Sequence, residues 1–476
     1  MPDTARLPFR THAAFGIGST AEAATTIVFN SFNFLFYNNV LGLSGTLCGL
    51  AVTIAMLFDA VSDPLVGALS DRHRSKLGRR HPFLYLAPIP MGVSFVAIYS
   101  PPDGLTEIPL FLWFTVTTIL LRTAQTLYQV PHLALGAEMT KDYGERSVLM
   151  SYNTAFSLIG TSGVSYLAWS YFGTLDAGTA DRQGYVTLTT MIAAVVIVMI
   201  FASAWFTRDQ IPRLSKVPED LPPFNARELI EEIRTCLTNQ NYKMLLLGMI
   251  FLSATLGLHE TLSSHIGLFF FELGEDQIRY LALGAPVGLL IATALTPKLH
   301  LWFDKRDALM AGIIGMVTAV SGPIILRLLG WFPENGAPSV FAILCLLKGT
   351  SYCASAVMVI SLVSTLGDVT DEHQLLTGRR QEGIFFAARS FFSKLTSGLG
   401  HLLAGVAIDL IHFPVGVQPG EVPSEVLYQF GVVAGPLTVL PALMSLYFYS
   451  RYGIDKVRHA EIRRELAAIP EPAGTE

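Results

Sequence analysis

Charge is scarce in this chain. Asp, Glu, Lys and Arg make up 14% of its 476 residues, against about 25% in an ordinary soluble domain. Cysteine is scarcer still, with four residues (Cys48, Cys236, Cys345 and Cys353). None forms a CxxC pair and three lie in apolar stretches, which reads as small core residues and excludes a disulfide scaffold or a thiolate metal cluster. No GxSxG, HExxH, P-loop or strand-embedded GxGxxG stands out, so no soluble catalytic signature is present. A net charge of −5 gives no basic surface for nucleic acid. Alternating ten-residue segments are missing too, which argues against a transmembrane β-barrel.

What the chain has instead is hydrophobicity: 51% of residues are apolar and the mean hydropathy is +0.48. Apolar runs near 20 residues recur, the length that crosses a bilayer as a helix. They predict an all-α membrane protein with twelve spans, at 13–40, 46–70, 82–100, 108–137, 148–172, 184–206, 243–271, 277–298, 308–329, 339–367, 382–411 and 425–450. The first run is too long for a signal-peptide core and is taken as a retained helix.

A polar, proline-bearing stretch from Thr207 to Lys243, helix-like from 225 to 238, separates the two sets of six. The expected organisation is an N-terminal half (1–206), a central loop (207–242), a C-terminal half (243–451) and a tail (452–476). This six-plus-six pattern is the architecture of major facilitator transporters, with the site expected near mid-membrane between the halves. The halves echo each other weakly: Glu138-Met139-Thr140 follows span 4 and Asp368-Val369-Thr370 follows span 10.

Basic residues set the orientation. The loop after span 2 carries Arg72, Arg74, Lys76, Arg79 and Arg80. Lys141 and Arg146, Lys298, Lys305 and Arg306, and Arg379 and Arg380 follow spans 4, 8 and 10, and the tail is also basic. Arg182 and Arg279 are the basic residues of the opposite loops. Both termini and the central loop are therefore expected in the cytoplasm, in a multi-pass protein of the cell (inner) membrane.

Two aspartates interrupt the apolar run 46–69. A charge at the centre of a membrane helix costs roughly 2.5–3.5 kcal/mol on insertion scales. Asp59 and Asp63 are i and i+4, so they share one helix face about 5–6 Å apart. Two carboxylates there call for a compensating cation, either a hard metal ion such as Na⁺ held with hydroxyls or a shared proton. The plainer alternative is a structural ion pair with a lysine in another span, and Lys394 in span 11 is the expected partner.

The stretch from Asp59-Ala-Val-Ser-Asp63-Pro64 through Asp71-Arg72 to Gly78-Arg79-Arg80-His81-Pro82 resembles the glycoside–pentoside–hexuronide:cation symporter family, the melibiose-permease-like branch of the major facilitator superfamily. Tyr128-Gln129-Val130-Pro131, Glu145-Arg146-Ser147 and Thr377-Gly378-Arg379-Arg380-Gln381-Glu382-Gly383 carry the same resemblance, which spans essentially the whole chain. It implies two pseudo-symmetric halves and cation binding at Asp59 and Asp63, with Ser62 and Thr126 as further ligands. It implies coupling through Lys394 and a gating loop at Asp71, Arg72, Gly78, Arg79 and Arg80.

The sugar side departs from the family. The aligned carboxylate positions read Ala23 and Gln129, and Asn153 stands where many relatives have arginine. Glu22 lies one residue from the span-1 position, about 100° around the helix, and is expected to face elsewhere. Arg122 needs a partner, either Glu22 or a substrate anion. His259, Glu260 and His265 in span 7 have two open readings, cavity-facing groups or helix–helix contacts, and Lys394, Gln129, Glu22, Arg122, Asn153 and His265 are the candidates for substrate binding or coupling.

The expected function is cation-coupled symport, with Na⁺ or H⁺, of a small solute such as a sugar or glycoside by a monomer in the bilayer, with no cofactor beyond the coupling ion. Two alternatives stand beside it. One is an amphipathic, lysolipid-like substrate, since animal sodium-coupled lysolipid symporters resemble the same family. The other is a receptor or scaffold that does not transport.

Overall fold

A computed structural model of the chain describes residues 7–140, 142–214, 235–378 and 382–468. The central loop between 215 and 234, Lys141, and Arg379, Arg380 and Gln381 of the span-10 loop lie outside the described residues.

Twelve long helical units occupy the expected positions. They are α1 (Phe9–Phe34), α2 (Gly45–Arg72), α3 (His81–Tyr99), α4 (Glu107–Glu138), α5 (Tyr143–Phe172), α6 (Arg182–Thr207), α7 (Gln240–His265), α8 (Glu275–Trp302), α9 (Lys305–Leu328), α10 (Pro338–Thr377), α11 (Glu382–Leu410) and α12 (Ser424–Ser450). Ten are long and apolar enough to cross a membrane, and α1 and α5 fall outside that criterion. Their outward faces carry exposed Val195, Val198, Leu290 and Leu346, as lipid contact allows.

Local chemistry sets the ends. Ser44, Asp142, Asp181 and Asn239 cap α2, α5, α6 and α7 by accepting backbone N–H bonds. Gly378 closes α10 at φ +72°, a conformation that suits glycine.

Three features depart from the expected spans. First, α8 breaks at Ala282–Leu283, just ahead of Pro286 in the first turn of its second segment. Second, α10 runs ten residues past the expected end at 367. Its polar end is held by Lys305 on Asp368 (2.7 Å) and by Asn239 on Glu372 (2.9 Å). Third, the tail forms α13 (Lys456–Ala468), where His459 sits 3.3 Å from Asp368 and 3.1 Å from Asp371.

The two halves repeat one packing scheme. In the first, α1 packs on α5 and α6, α4 on α2 and α3, and α3 on α6. In the second, α7 packs on α11 and α12, α10 on α8 and α9, and α9 on α12. The correspondence reaches single hydrogen bonds at an offset of 230 residues. Leu41 N–H donates to Phe36 O and Leu43 to Tyr37 O; Phe271 donates to Ile266 O and Leu273 to Gly267 O. These bonds form matching π-turns, Leu35–Val40 after α1 and Ile266–Phe270 after α7.

The halves meet along α2 with α11 and α5 with α8. The α2–α11 seam is glycine-lined: a Cβ on Gly405 would lie 1.9 Å from Gly45 O, and one on Gly49 would lie 2.5 Å from His401 O. Asp409 of α11 accepts the N–H groups of Gly45 and Thr46, both at 2.7 Å, capping α2 from the other half. Gly416 N–H donates to Asn39 O at 3.0 Å. Among the described residues, the hydrogen bonds joining the halves lie between this end of the bundle and its mid-depth.

Candidate functional site

At mid-depth, Asp59 and Asp63 project from one face of α2 toward α4 and α11. The Lys394 ammonium lies between them, 2.7 Å from Asp59 Oδ2 and 2.5 Å from Asp63 Oδ2. The Thr126 hydroxyl of α4 lies 2.7 Å from Asp59 Oδ1 and 2.9 Å from Asp63 Oδ1. One hydroxyl proton serves both oxygens, so Thr126 is shared. The Asp59 side chain is 6% exposed, whereas those of Asp63 and Lys394 are each 23% exposed. The cluster is thus sealed on one side and open on the other. With two carboxylates and one ammonium, it carries a net charge of −1.

Ser62 lies between the two aspartates on α2. Its hydroxyl donates to the Asp59 carbonyl at 3.2 Å, the back-bonding open to a helical serine, and no bond joins it to the carboxylates. Glu22, expected to face elsewhere, is corrected. It faces the interior, hydrogen-bonds the Gln129 side chain and has Lys394, Arg122 and Asp59 as charged neighbours. Arg122 stacks 5.1 Å from the Phe29 ring and neighbours Glu260 as well as Glu22. It therefore has acidic groups on both halves.

Asn153 and His265 are not brought to this place. Asn153 accepts a hydrogen bond from Ser19, beside His132, inside the N-terminal half. His265 is fully buried among Phe34, Phe269 and Phe413, with ring centroids at 5.4–5.6 Å. Neither ring nitrogen has a hydrogen-bond partner. A polar residue in a span need not face the cavity, and this one fills an aromatic contact between the halves.

A cavity of about 400 Å³ is bounded by α1, α5 and α7–α10, with Asn30, Trp169, His259, Glu260, Lys348 and Tyr352 on its wall. Asn30 donates to Glu260 across the halves. These two residues are also equivalents at the 230-residue offset. His259 Nδ1 is buried without a partner, and Lys348 Nζ lies 5.5 Å from the Tyr352 ring centre. Phe32 backs Trp169 at 4.8 Å. Sequence reasoning passed over Lys348 and Trp169. Lys348 is a lone charge in an apolar run, the same signal that singles out Asp59 and Asp63.

The loop after α2 is held by charge. Arg80 pairs with Asp71, with Glu138 at 2.7 Å and with Ser70 at 2.6 Å, and Arg79 lies 2.9 Å from Glu138. Gly78 turns at φ +75°, which disfavours any side chain there. Arg72 is the last residue of α2. Glu138 and its 230-offset counterpart Asp368 each bind a basic residue of the preceding loop, so the short echo in the sequence marks equivalent places.

Comparison with known proteins agrees with this architecture. An uncharacterised symporter of Synechocystis sp. is 23% identical over 97% of both chains. YagG of Escherichia coli, described as a glycoside/cation symporter, is 23% identical over 98% of both. The mouse sodium-dependent lysophosphatidylcholine symporter 1 is 20% identical over 97% of this chain and 88% of its own. Among solved structures, a bacterial homologue of the lysosomal transporter Spinster superposes with a TM-score of 0.66 at 15% identity, covering 98% of both chains. The xylose transporter XylE of Escherichia coli gives 0.63 at 14% identity, covering 95% of this chain and 98% of its own. These two show the fold. The sequence model of one family matches residues 14–456, and the chain belongs to it: this is a multi-pass membrane transporter of the MFS/sugar transport protein family, not an enzyme.

Proposed function

We propose that the protein is a sodium-coupled symporter of a sugar or glycoside in the cytoplasmic (inner) membrane, working by alternating access. The observation that carries this reading is the Lys394 ammonium, a C-terminal-half cation placed between two N-terminal-half carboxylates. A site that holds one cation there can exchange it for another, and exchange with Na⁺ would release the tie between the halves. Asp59, Asp63 and Thr126 form the proposed ligand set, hard oxygens suited to Na⁺. Ser62 stays a candidate further ligand, since a hydroxyl that donates to the Asp59 carbonyl keeps its oxygen lone pairs.

The bias of basic loops supports an orientation with both termini in the cytoplasm. On that orientation the glycine seam and the Asp409 cap close the external side, and Arg80 with Glu138 braces the cytoplasmic loop. Cation and substrate then raise each other's affinity by the same factor. The named relatives support symport, and YagG supports a glycoside. A lysolipid is the second reading, favoured by the mouse lysophosphatidylcholine symporter's similarity over nearly the full chain.

The test is uptake into proteoliposomes of the purified protein under an inward Na⁺ gradient, with glycosides and a lysolipid offered in parallel. Uptake that needs Na⁺ and collapses with the gradient is expected. Uptake of a substrate at equal rate without Na⁺, with or without a proton gradient, would remove the coupling assignment.

A further inference from the structure

We propose that Glu260 and Lys348, with Asn30 and His259, form the substrate site, and that this site selects an uncharged polyhydroxylated group over a uronate or a phosphate-bearing one. The inference rests on the symport reading and adds where the substrate sits and what charge it carries.

The N-terminal half offers little for a sugar. Ala23 is a methyl group, and Gln129 is already bonded to Glu22. The C-terminal half offers a great deal. Glu260 of α7 is a charged acceptor, and Asn30 orients it from the other half. Lys348 of α10 is a charged donor facing the same space. His259 adds a buried ring nitrogen that nothing in the protein satisfies. A buried polar atom left without a partner is costly, and a ligand hydroxyl would supply one. Trp169 and Tyr352 give the wall the aromatic surface that suits the apolar face of a sugar ring. The cavity, about 400 Å³, falls within the usual range for small-molecule sites, about 300–1,000 Å³.

Charge decides the class. Glu260 and Lys348 are the acidic and the basic side chain on the wall, so a carboxylate and an ammonium balance there. The cluster of Asp59, Asp63 and Lys394 carries −1; with Na⁺ in the place of Lys394 the two carboxylates and their ion still carry −1, and the displaced ammonium brings the interior total to zero. A neutral solute keeps that balance at low dielectric. A uronate or a phosphate would bring an unmatched charge into a desolvated site, which is strongly unfavourable. Alternating donors and acceptors on the wall match hydroxyls, each of which can donate and accept.

The experiment uses the purified full-length protein in saturating Na⁺. Equilibrium binding is measured for a panel of p-nitrophenyl α- and β-glucosides, galactosides, mannosides and xylosides, with p-nitrophenyl glucuronide and lysophosphatidylcholine beside them. The best neutral glycoside is then tested on E260Q, K348Q and Q129A. E260Q and K348Q are each expected to weaken binding about tenfold or more, the worth of a hydrogen bond to a charged group, and Q129A by less than threefold. The glucuronide and the lysolipid should bind at least tenfold more weakly than that glycoside.

Three results would each overturn the site: binding indifferent to both E260Q and K348Q, a glucuronide or lysolipid that binds as tightly as any neutral glycoside, or no neutral glycoside bound at all. Thermal stabilisation by Na⁺ alone is read on the same samples and reports on Asp59 and Asp63. If it survives in wild type and variants while glycoside binding behaves in one of those ways, the site falls and the coupling reading stands. If it is missing in wild type, the coupling reading fails on its own evidence.

Discussion

Replacing Lys394 by Met tests the central idea that the lysine competes with the coupling cation. The ammonium makes two close contacts, 2.7 and 2.5 Å, to two carboxylates. A unit charge pair at about 4 Å is worth about 4 kcal/mol at the effective dielectric of a partly exposed site. Desolvation of three charged groups offsets much of that sum. If only a third of one such pair survives as net stabilisation, about 1.4 kcal/mol, an entering cation loses tenfold in affinity to the lysine. K394M removes that competitor and leaves a cluster of charge −2. Sodium should therefore bind at least tenfold more tightly to K394M than to wild type. Na⁺-driven uptake should nonetheless fall to background, because the side chain that displaces the ion is gone. The assay is a Na⁺ titration of thermal stability at pH 8, where protons compete least, paired with uptake into proteoliposomes. A folded K394M whose sodium affinity is unchanged or weaker would refute the competition.

Asp63→Asn takes the cluster from −1 to neutral, leaving Asp59 paired with Lys394; the variant should fold, yet lose both its stabilisation by Na⁺ and its Na⁺-stimulated uptake. Gly405→Val places a side chain against Gly45 O, where even a Cβ would lie at 1.9 Å, so it should separate α2 from α11. The expected readout is lost uptake with a lower melting temperature, and wild-type values for both would contradict the close seam. Arg80→Gln, Glu138→Gln and the double variant form a thermodynamic cycle. Their 2.7 Å contact is largely buried, so a coupling of about 0.5–3 kcal/mol is expected in unfolding or melting measurements, and simple additivity would show that the brace is not formed.

Much of the fold could be read from composition, because lipid imposes a rule that water does not. A segment without a hydrogen-bonding solvent must be helical and about 20 residues long, so spans appear as apolar runs. The end of α10 escaped this rule. Its last turns, from Asp368 to Thr377, are polar and are stabilised by Lys305, Asn239 and His459 from distant parts of the chain. Asp59 and Asp63 were legible for the same reason in reverse, since a charge in an apolar run must be compensated. Lys348 obeys that logic equally. Side-chain direction was harder to read. Glu22 lies about 100° around α1 from the expected position, yet it meets Gln129, so the arc of α1 that faces the interior is wider than a single aligned residue suggests. Ser62 shows that a hydroxyl in a span can be satisfied by its own helix, and His265 that a polar ring can be packed among aromatic residues without hydrogen-bond partners.

At mid-depth the two halves exchange side chains in both directions. Lys394, from the C-terminal half, holds the carboxylates of the N-terminal half. Asn30, from the N-terminal half, holds Glu260 of the C-terminal half. In the proposed cycle the cation takes the place of Lys394, and the substrate takes the place of Asn30 on Glu260. Either event alone leaves the other tie to a carboxylate in place, and both together leave neutral bonds there, from Thr53 to Gly398 O at 2.6 Å and from Ser264 to Ser31 O. The glycine seam with its Asp409 cap continues beyond them and is held by backbone contacts, the Thr53 hydroxyl and a helix-end charge rather than a buried ion pair. Such a seam strands little when it parts, because Thr53 also has Gly49 O of its own helix at 2.7 Å, and Asp409 and the first N–H groups of α2 can both turn to water at the membrane surface. Coupling then follows from geometry, since each ligand removes the tie that the other does not touch.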